Sequence, residues 1–274
     1  MAGEIKERDR KSVCMVDEQG IGGIKMKNTV LITGGNSGIG LALAIRYLKD
    51  GNTVIICGRN QDKLEKTALE NPGLKTILAD VSREEDRSRL FETVKTSYPE
   101  TNILINNAGI QQRIDVTAMD WQMWKNEINT NLEAPMHLSG LFVPFLAGKE
   151  NAQIINVTSG LAFRPPLWAP VYGATKAGMH SFTFVLREQL REKGVTVKEI
   201  IPPAVGTNLR GEAAPRSGAD IDEFADSVYQ DLLTEKEEVG FGYTNSIVDM
   251  TRRTLEADAI QMSQRILNQV SALN

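Results

Sequence analysis

The sequence predicts an α/β fold: a doubly wound parallel sheet in a single domain, with a substrate lid and C-terminal helices. Three observations predict it. Short apolar runs alternate with helical segments between residues 28 and 200, the pattern of a parallel sheet covered by helices. The runs are continuously apolar rather than alternating, as strands covered on both faces require. A glycine cluster, Gly34, Gly35, Gly38 and Gly40, ends the first run and opens the first helix.

Each element follows in order. Residues 28–33 form the first apolar run, and residues 39–49 follow with helical spacing. Residues 53–57 read as a second strand and 61–70 as a helix; 75–79 as a third strand and 83–97 as a helix. Residues 102–105 make a fourth strand, and a long helical stretch covers about 118–146. Residues 153–158 supply the fifth strand, 171–192 a helix and 195–200 the sixth strand. Right-handed crossovers then give the doubly wound arrangement. Residues 1–25 are polar and Gly-rich without periodicity and read as a flexible N-terminal extension, so the folded domain spans 26–274. Residues 207–240 are polar, with Gly211, Pro215 and Gly218 as interruptions, which predicts a lid. Residues 245–273 regain helical period, with Ile260, Met262, Ile266, Leu267 and Val270 apolar.

Composition narrows the function. The 274 residues are 41% hydrophobic and 24% charged, enough apolar side chain for a sizeable core. Lys plus Arg is 31 and Asp plus Glu 35, a formal charge of −4 that gives no electrostatic reason to expect nucleic acid or an anionic membrane. Two cysteines, Cys14 and Cys57, and two histidines, His137 and His180, exclude a disulfide framework and a Cys-rich zinc site, and no metal is expected. No apolar run is long enough to span a bilayer, and the first ten residues lack a signal-peptide core. The expectation is a cytoplasmic protein acting on a small molecule.

The glycine cluster carries the first chemical signal. Thr33-Gly34-Gly35-Asn36-Ser37-Gly38-Ile39-Gly40 lies between strand and helix, where glycines allow close approach to a pyrophosphate and the helix start favours an anion. The order Thr-Gly, three residues, Gly, one residue, Gly resembles the single-domain branch of the short-chain dehydrogenase/reductase superfamily. That resemblance implies a Rossmann sheet and a nicotinamide cofactor.

The end of the second strand speaks to which cofactor. An acidic residue there would bond the adenosine ribose of NAD, whereas an arginine accommodates the 2′-phosphate of NADP. This strand ends Cys57-Gly58-Arg59-Asn60, so Arg59 favours NADP(H), with NAD(H) as the alternative. Ser37 argues the other way, because many NADP-preferring relatives carry a second basic residue there. By resemblance, Asp80 and Val81 lie near the adenine, although a loop-capping role accounts for Asp80 equally well. Asn107, Ala108 and Gly109 match the family loop beneath the cofactor, where asparagines can also satisfy backbone groups.

Tyr172 and Lys176 are spaced i, i+4 in a helical region, which puts both on one face. A neighbouring ammonium is expected to lower the tyrosine pKa, and such a phenol can exchange a proton with a carbonyl or alcohol oxygen. Ser159 ends the fifth strand, where ligands bind in open α/β sheets. Asn131 resembles the family asparagine that holds a water on the proton path to the lysine. The resemblance covers residues 28–207 and implies hydride transfer between nicotinamide and a carbonyl or alcohol carbon. It makes Tyr172 the general acid/base, Lys176 its activator and ribose ligand, and Ser159 the group that orients the substrate oxygen. Several phrases, Thr53 to Arg59, Asn106 to Gln111, Val157 to Phe163 and His180 to Phe182, look like one subgroup. It comprises oxidoreductase-like proteins encoded in D-alanyl-lipoteichoic acid operons of Gram-positive bacteria.

The chain also departs from the pattern. Thr207 stands where the family binds the nicotinamide amide, with Pro202 and Val205 before it, but Pro203 replaces the usual glycine. The usual C-terminal strand with its Gly-Gly ending is missing, and residues 238–242 read as a remnant. Leu161, Phe163 and Trp168 lie between Ser159 and Tyr172 and suit an apolar substrate wall or ordinary loop packing. Arg113 and Arg164 suit an anionic substrate group or plain solvation. Trp121 and Trp124 read as core or interface anchors, His137 and His180 as structural, and Cys57 as a buried strand residue. Family members usually assemble, so a homodimer or homotetramer is expected. A non-catalytic nucleotide-binding sensor or scaffold and a hydrolase built on Ser159 are the competing readings. Intact Ser159, Tyr172 and Lys176 argue against the first, and no histidine base near Ser159 in the sequence argues against the second.

Overall fold

The computed structural model describes residues 27–271 apart from 208 and 210–217. The predicted N-terminal extension, and Gly211 and Pro215 of the predicted lid, lie outside the described residues. The elements are β1 (Thr29–Thr33), α1 (Gly38–Lys49), β2 (Thr53–Gly58), α2 (Gln61–Glu70), β3 (Lys75–Leu78), α3 (Glu84–Ser97), β4 (Ile103–Asn106), α4 (Trp121–Ile128), α5 (Ala134–Leu146), β5 (Gln153–Val157), α6 (Pro170–Leu190), β6 (Thr196–Ile201), α7 (Ile221–Leu232), β7 (Glu238–Gly240) and α8 (Arg252–Ser271). The strands form one seven-stranded parallel sheet in the order β3-β2-β1-β4-β5-β6-β7. The chain winds outward one way from β1 and the other way from β4. The switch point between them is where a ligand crevice is expected.

Both faces are covered, which explains the unbroken apolar strands. Ile32, Ile56, Ile105 and Ile155 pack with Leu43 and Tyr47 of α1 and Phe224 and Val228 of α7. Leu31, Ile55, Leu104 and Ile154 pack on the other face with Leu90 of α3, Phe142 of α5 and Leu190 of α6. Among the described residues no helix is long and apolar enough to cross a membrane.

Three stretches differ from the sequence expectation. The predicted helix over 118–146 starts at Trp121, because the Asp120 side chain accepts the Met123 N–H at 3.0 Å and caps it. It then opens into a π turn over Asn129–Glu133 before α5 begins with Pro135 in its first turn. Part of the predicted lid belongs to the core: α7 buries Phe224, Ala225, Val228, Tyr229 and Leu232, a single stripe whose spacing was masked by the polar residues between. Tyr229 meets Tyr47 edge to face at 4.9 Å. Finally, residues 238–240 form a true strand, with Val239 paired to Ile200. It is short, so periodicity alone could not define it.

Candidate active site

A cleft of about 830 Å³ runs along the carboxyl ends of the strands across the switch point, within the roughly 300–1,000 Å³ typical of ligand pockets. Of the residues picked out from the sequence, Gly34, Asn36, Ser37, Gly38, Ile39, Arg59, Asp80, Val81, Asn107, Ala108, Gly109, Ser159, Tyr172, Lys176, Pro202, Val205 and Thr207 line it. Gly40 and Asn131 are not in the lining; both are buried beneath it.

The glycine loop is shaped from below by Asn107. Thr33 Oγ1 accepts the N–H groups of Asn107 and Ala108, both at 3.0 Å, and Asn107 Nδ2 donates to the carbonyls of Thr33 (2.9 Å) and Gly34 (3.3 Å). A Cβ on Gly40 would collide with Asn107 Nδ2, which is why that position carries no side chain. Gly34 takes φ +64°, in the left-handed region that favours glycine. Ser37 caps α1 in extended conformation without a side-chain bond to it, and the first turn holds no acidic residue. The helix start is therefore open to an anion. This cradle fits a dinucleotide pyrophosphate. Arg59 is exposed at the cleft's edge, and Lys63, in the first turn of α2, lines it too. Lys63 is a basic group that the sequence reading missed, because its place became visible only once α2 was folded beside β2. Asp80 Oδ1 accepts Ser82 N–H (3.0 Å) and Ser82 Oγ–H (2.7 Å), the loop-capping geometry, while still facing the cleft.

At the other end the structure brings four side chains together. Tyr172 and Lys176 are 4% exposed on the inward face of α6, and Ser159 is 6% exposed at the end of β5. Ser159 and Tyr172 line the same end of the cleft, and the Ser159 hydroxyl favours the Tyr172 phenolate. Ser159 Oγ also accepts the Leu161 N–H at 3.1 Å, which holds the turn after β5. Asn131 sits in the π turn, a break common at functional sites. Its Oδ1 accepts Ile110 N–H at 2.9 Å and its Nδ2 donates to Ile110 O at 2.8 Å. A Cβ on Gly109 would lie 3.4 Å from Asn131 Oδ1 and 3.7 Å from Lys176 Nζ, so this glycine lets the loop pass close to both.

Burial works against the expected lowering: it pushes Tyr172 up to about 12, and the Ser159 hydroxyl pulls it back only in part. Lys176 Nζ donates to the Val157 carbonyl at 2.7 Å and lies 5.7 Å from the centroid of the phenol ring. Burial drives Lys176 itself down to about 8, partly opposed by the carboxylates of Glu199 and Glu127.

Those two carboxylates were missed from the sequence. Glu127 of α4 is fully buried; its Oε1 accepts Gln112 N–H at 3.1 Å while Oε2 has no partner. Burial raises it to about 7. Glu199 of β6 is also fully buried and takes Thr158 Oγ–H at 2.6 Å and His180 Nδ1 at 3.0 Å. The adjacent charges Lys198 and Glu199 inside an otherwise apolar strand were the available signal for Glu199. His180, Glu199 and Glu238 bring one donor atom each within 4.8 Å of one another. The cluster is internally satisfied: Glu199 binds His180 and Thr158, and Glu238 pairs with Arg187 at 3.3 Å. His137 Nδ1 accepts from the buried Arg87 at 2.9 Å, and Cys57 is fully buried, with its thiol pushed up to about 12.

Pro203 lines an open cleft, and the backbone beside it is braced. Gly206 N–H donates to Ala219 O at 3.0 Å and Ala219 N–H to Ala204 O at 2.8 Å. Trp121 is 56% exposed rather than in the core, 6.3 Å from Trp124. Of the C-terminal apolar stripe, Ile260 is exposed and Met262 lines the cleft; the side chains of Ile266, Leu267 and Val270 lie outside the described residues.

Comparison with known proteins agrees with this arrangement. The family model for short chain dehydrogenase matches residues 28–217. The chain is 41% identical to DltE of Bacillus subtilis strain 168, an uncharacterized oxidoreductase, over 88% of this chain and 97% of that protein. Among solved structures, the bulky-bulky ketone specific alcohol dehydrogenase of Comamonas testosteroni is 25% identical, with a TM-score of 0.71 over 83% of this chain and 93% of that one. A short-chain dehydrogenase from Sphingobium yanoikuyae in complex with NADPH shares the fold, with 23% identity and a TM-score of 0.72 over 88% and 95%. One from Burkholderia phymatum in complex with NAD does too, with 21% identity and a TM-score of 0.74 over 83% and 92%. This chain is therefore a member of the short-chain dehydrogenase/reductase family, an oxidoreductase of CH–OH and C=O groups.

Proposed function

We propose that the protein is an NADP(H)-dependent carbonyl reductase or alcohol dehydrogenase for a small, partly apolar substrate. The observation that carries this reading is the buried Tyr172, with Ser159 and Lys176 beside it, in the wall of a cleft that begins at an open helix start. The glycine loop and the start of α1 would hold the pyrophosphate, Arg59 and Lys63 the 2′-phosphate, and Pro202, Val205 and Thr207 the nicotinamide. A nicotinamide bound there supplies or accepts the hydride. Tyr172 gives its proton to the carbonyl oxygen, or takes one from the alcohol, while Ser159 fixes that oxygen by a hydrogen bond. Lys176, one helical turn from Tyr172, would hold the nicotinamide ribose and favour the phenolate. Asn131 holds the Ile110 backbone and supports the proton path behind Lys176. Leu161 and Trp168 line the substrate end and favour an apolar body. Exposed Phe184 and Val185 on α6 and Met136 on α5 support assembly through the helices flanking the site.

The test is titration with NADPH and NADH, read by energy transfer from tryptophan, since Trp168 lines the cleft. NADPH is expected to bind more tightly, and Arg59→Ala to weaken it about tenfold or more, the worth of a charged hydrogen bond, without affecting NADH. Equal affinities untouched by the substitution would overturn the cofactor preference. Binding of neither would overturn the oxidoreductase mechanism.

A further inference from the structure

Arg164 stands on the turn that follows Ser159, and its surroundings are unusual for a guanidinium. Its Cζ lies 5.2 Å from the centre of the Tyr243 ring. Its Nη2 donates to Met262 Sδ at 3.8 Å, and its Nε is buried with no hydrogen-bond partner. A thioether is a weak acceptor. An aromatic face attracts a cation by about 0.5–2 kcal/mol, and neither replaces the charge-assisted bonds to an oxyanion for which the guanidinium fork is built. Among the described residues, Met262 is the one acceptor its side chain has.

Arg164 is not itself among the lining residues; it stands behind Tyr243 and Met262, which belong to the wall of the cleft at its reacting end. Tyr243 and Met262 line the cleft together with Ser159 and Tyr172. Tyr243 reaches far in: a Cβ on Gly160, next to Ser159, would lie 2.9 Å from its hydroxyl. The charge of the cleft agrees. Away from the adenosine end, where Arg59, Lys63 and Asp80 stand, its described lining holds the cations Arg113 and Lys176 and no carboxylate.

We propose that the substrate is a carboxylate-bearing aldehyde or ketone, or the corresponding hydroxy acid, and that Arg164 receives its carboxylate in place of the Met262 sulfur. One guanidinium against an aromatic and a thioether suits a planar monoanion, which takes two parallel N–H bonds. The proposal rests on the reductase reading above. In reduction the carbonyl carbon gains the hydride of the reduced nicotinamide, and the C=O π pair takes the proton of Tyr172. The carboxylate passes through unchanged. Arg113, exposed at the rim, is the competing anion ligand.

The experiment uses the full chain with saturating NADP⁺. Tryptophan fluorescence is titrated with benzoate and with its neutral isostere benzamide. Benzoate is expected to bind about tenfold or more tightly than benzamide, and Arg164→Met to erase that preference while leaving benzamide binding unchanged. Arg164→Lys should restore part of it. With NADPH, kcat/KM for 4-carboxybenzaldehyde over benzaldehyde should fall by a similar factor in Arg164→Met, through KM. Undiminished benzoate binding by Arg164→Met, or its loss in Arg113→Met instead, would overturn the assignment. Arg164-dependent benzoate binding with no turnover of either aldehyde would support the anion site and overturn the reductase reading.

Discussion

Tyr172 and Glu127 are the residues whose chemistry the surroundings change most usefully. Tyr172→Phe removes only the hydroxyl, so cofactor affinity should hold while turnover falls by roughly 10²–10⁴, the usual worth of a positioned proton donor. Retained turnover in steady-state NADPH oxidation would mean another group carries the proton. Glu127 makes a different prediction. Its carboxyl is raised from an ordinary value of 4.5 to about 7. Between those values the folded chain holds more protons than the unfolded one, so stability declines as pH rises through that window. The Glu127 contribution is complete below about 4.5 and lost above about 7. Glu127→Gln should flatten the decline, which is on the order of 2 kcal/mol, in urea midpoints taken from pH 5 to 8. An unchanged slope in the variant would show that other groups cause it. Neither pKa was legible in the sequence. The i, i+4 spacing of Tyr172 and Lys176 correctly put them on one face, but burial and the Val157 carbonyl set their proton affinities, and both are tertiary facts.

The elements that present the site do so through few contacts. The glycine loop depends on Asn107, which satisfies two carbonyls of the β1 end from a different strand. Asn107→Ala would leave both unpaired in a half-buried loop, at a cost of about 1–3 kcal/mol. Weaker NADPH binding should accompany the lower urea midpoint; a stable variant with unchanged affinity would count against the loop as the pyrophosphate cradle. The π turn at Asn131 could not be read from periodicity, because a single widened turn shifts the pattern by one residue within an otherwise helical stretch. Pro135 and the capping Asp120 were its only local marks. The short β7 was visible only as a fragment. Three residues cannot establish a period, and pairing with β6 is what makes them a strand.

At the scale of the molecule, a cleft lies over the switch point of the sheet, and α7 belongs to the core rather than to a lid. Phe224 is fully buried against Phe241, 5.6 Å away edge to face. Phe224→Ala should therefore cost about 3–5 kcal/mol, read as a lower thermal midpoint. A loss below about 1 kcal/mol would return residues 221–232 to a loosely held excursion.

The sequence by itself determined the class and order of the fold, the family, and the residues facing the cleft from the strand ends. These depend on local pattern: apolar runs covered on both faces, glycines where a backbone must turn or approach closely, and a tyrosine and lysine one helical turn apart. Only the tertiary structure decided how Lys176 and Tyr172 are tuned and that Glu127 and Glu199 are buried carboxylates. It also decided that Arg164 rests on Tyr243 and Met262 at the reacting end. Those facts depend on groups far apart in the chain sharing a dry, low-dielectric space, which no local pattern records.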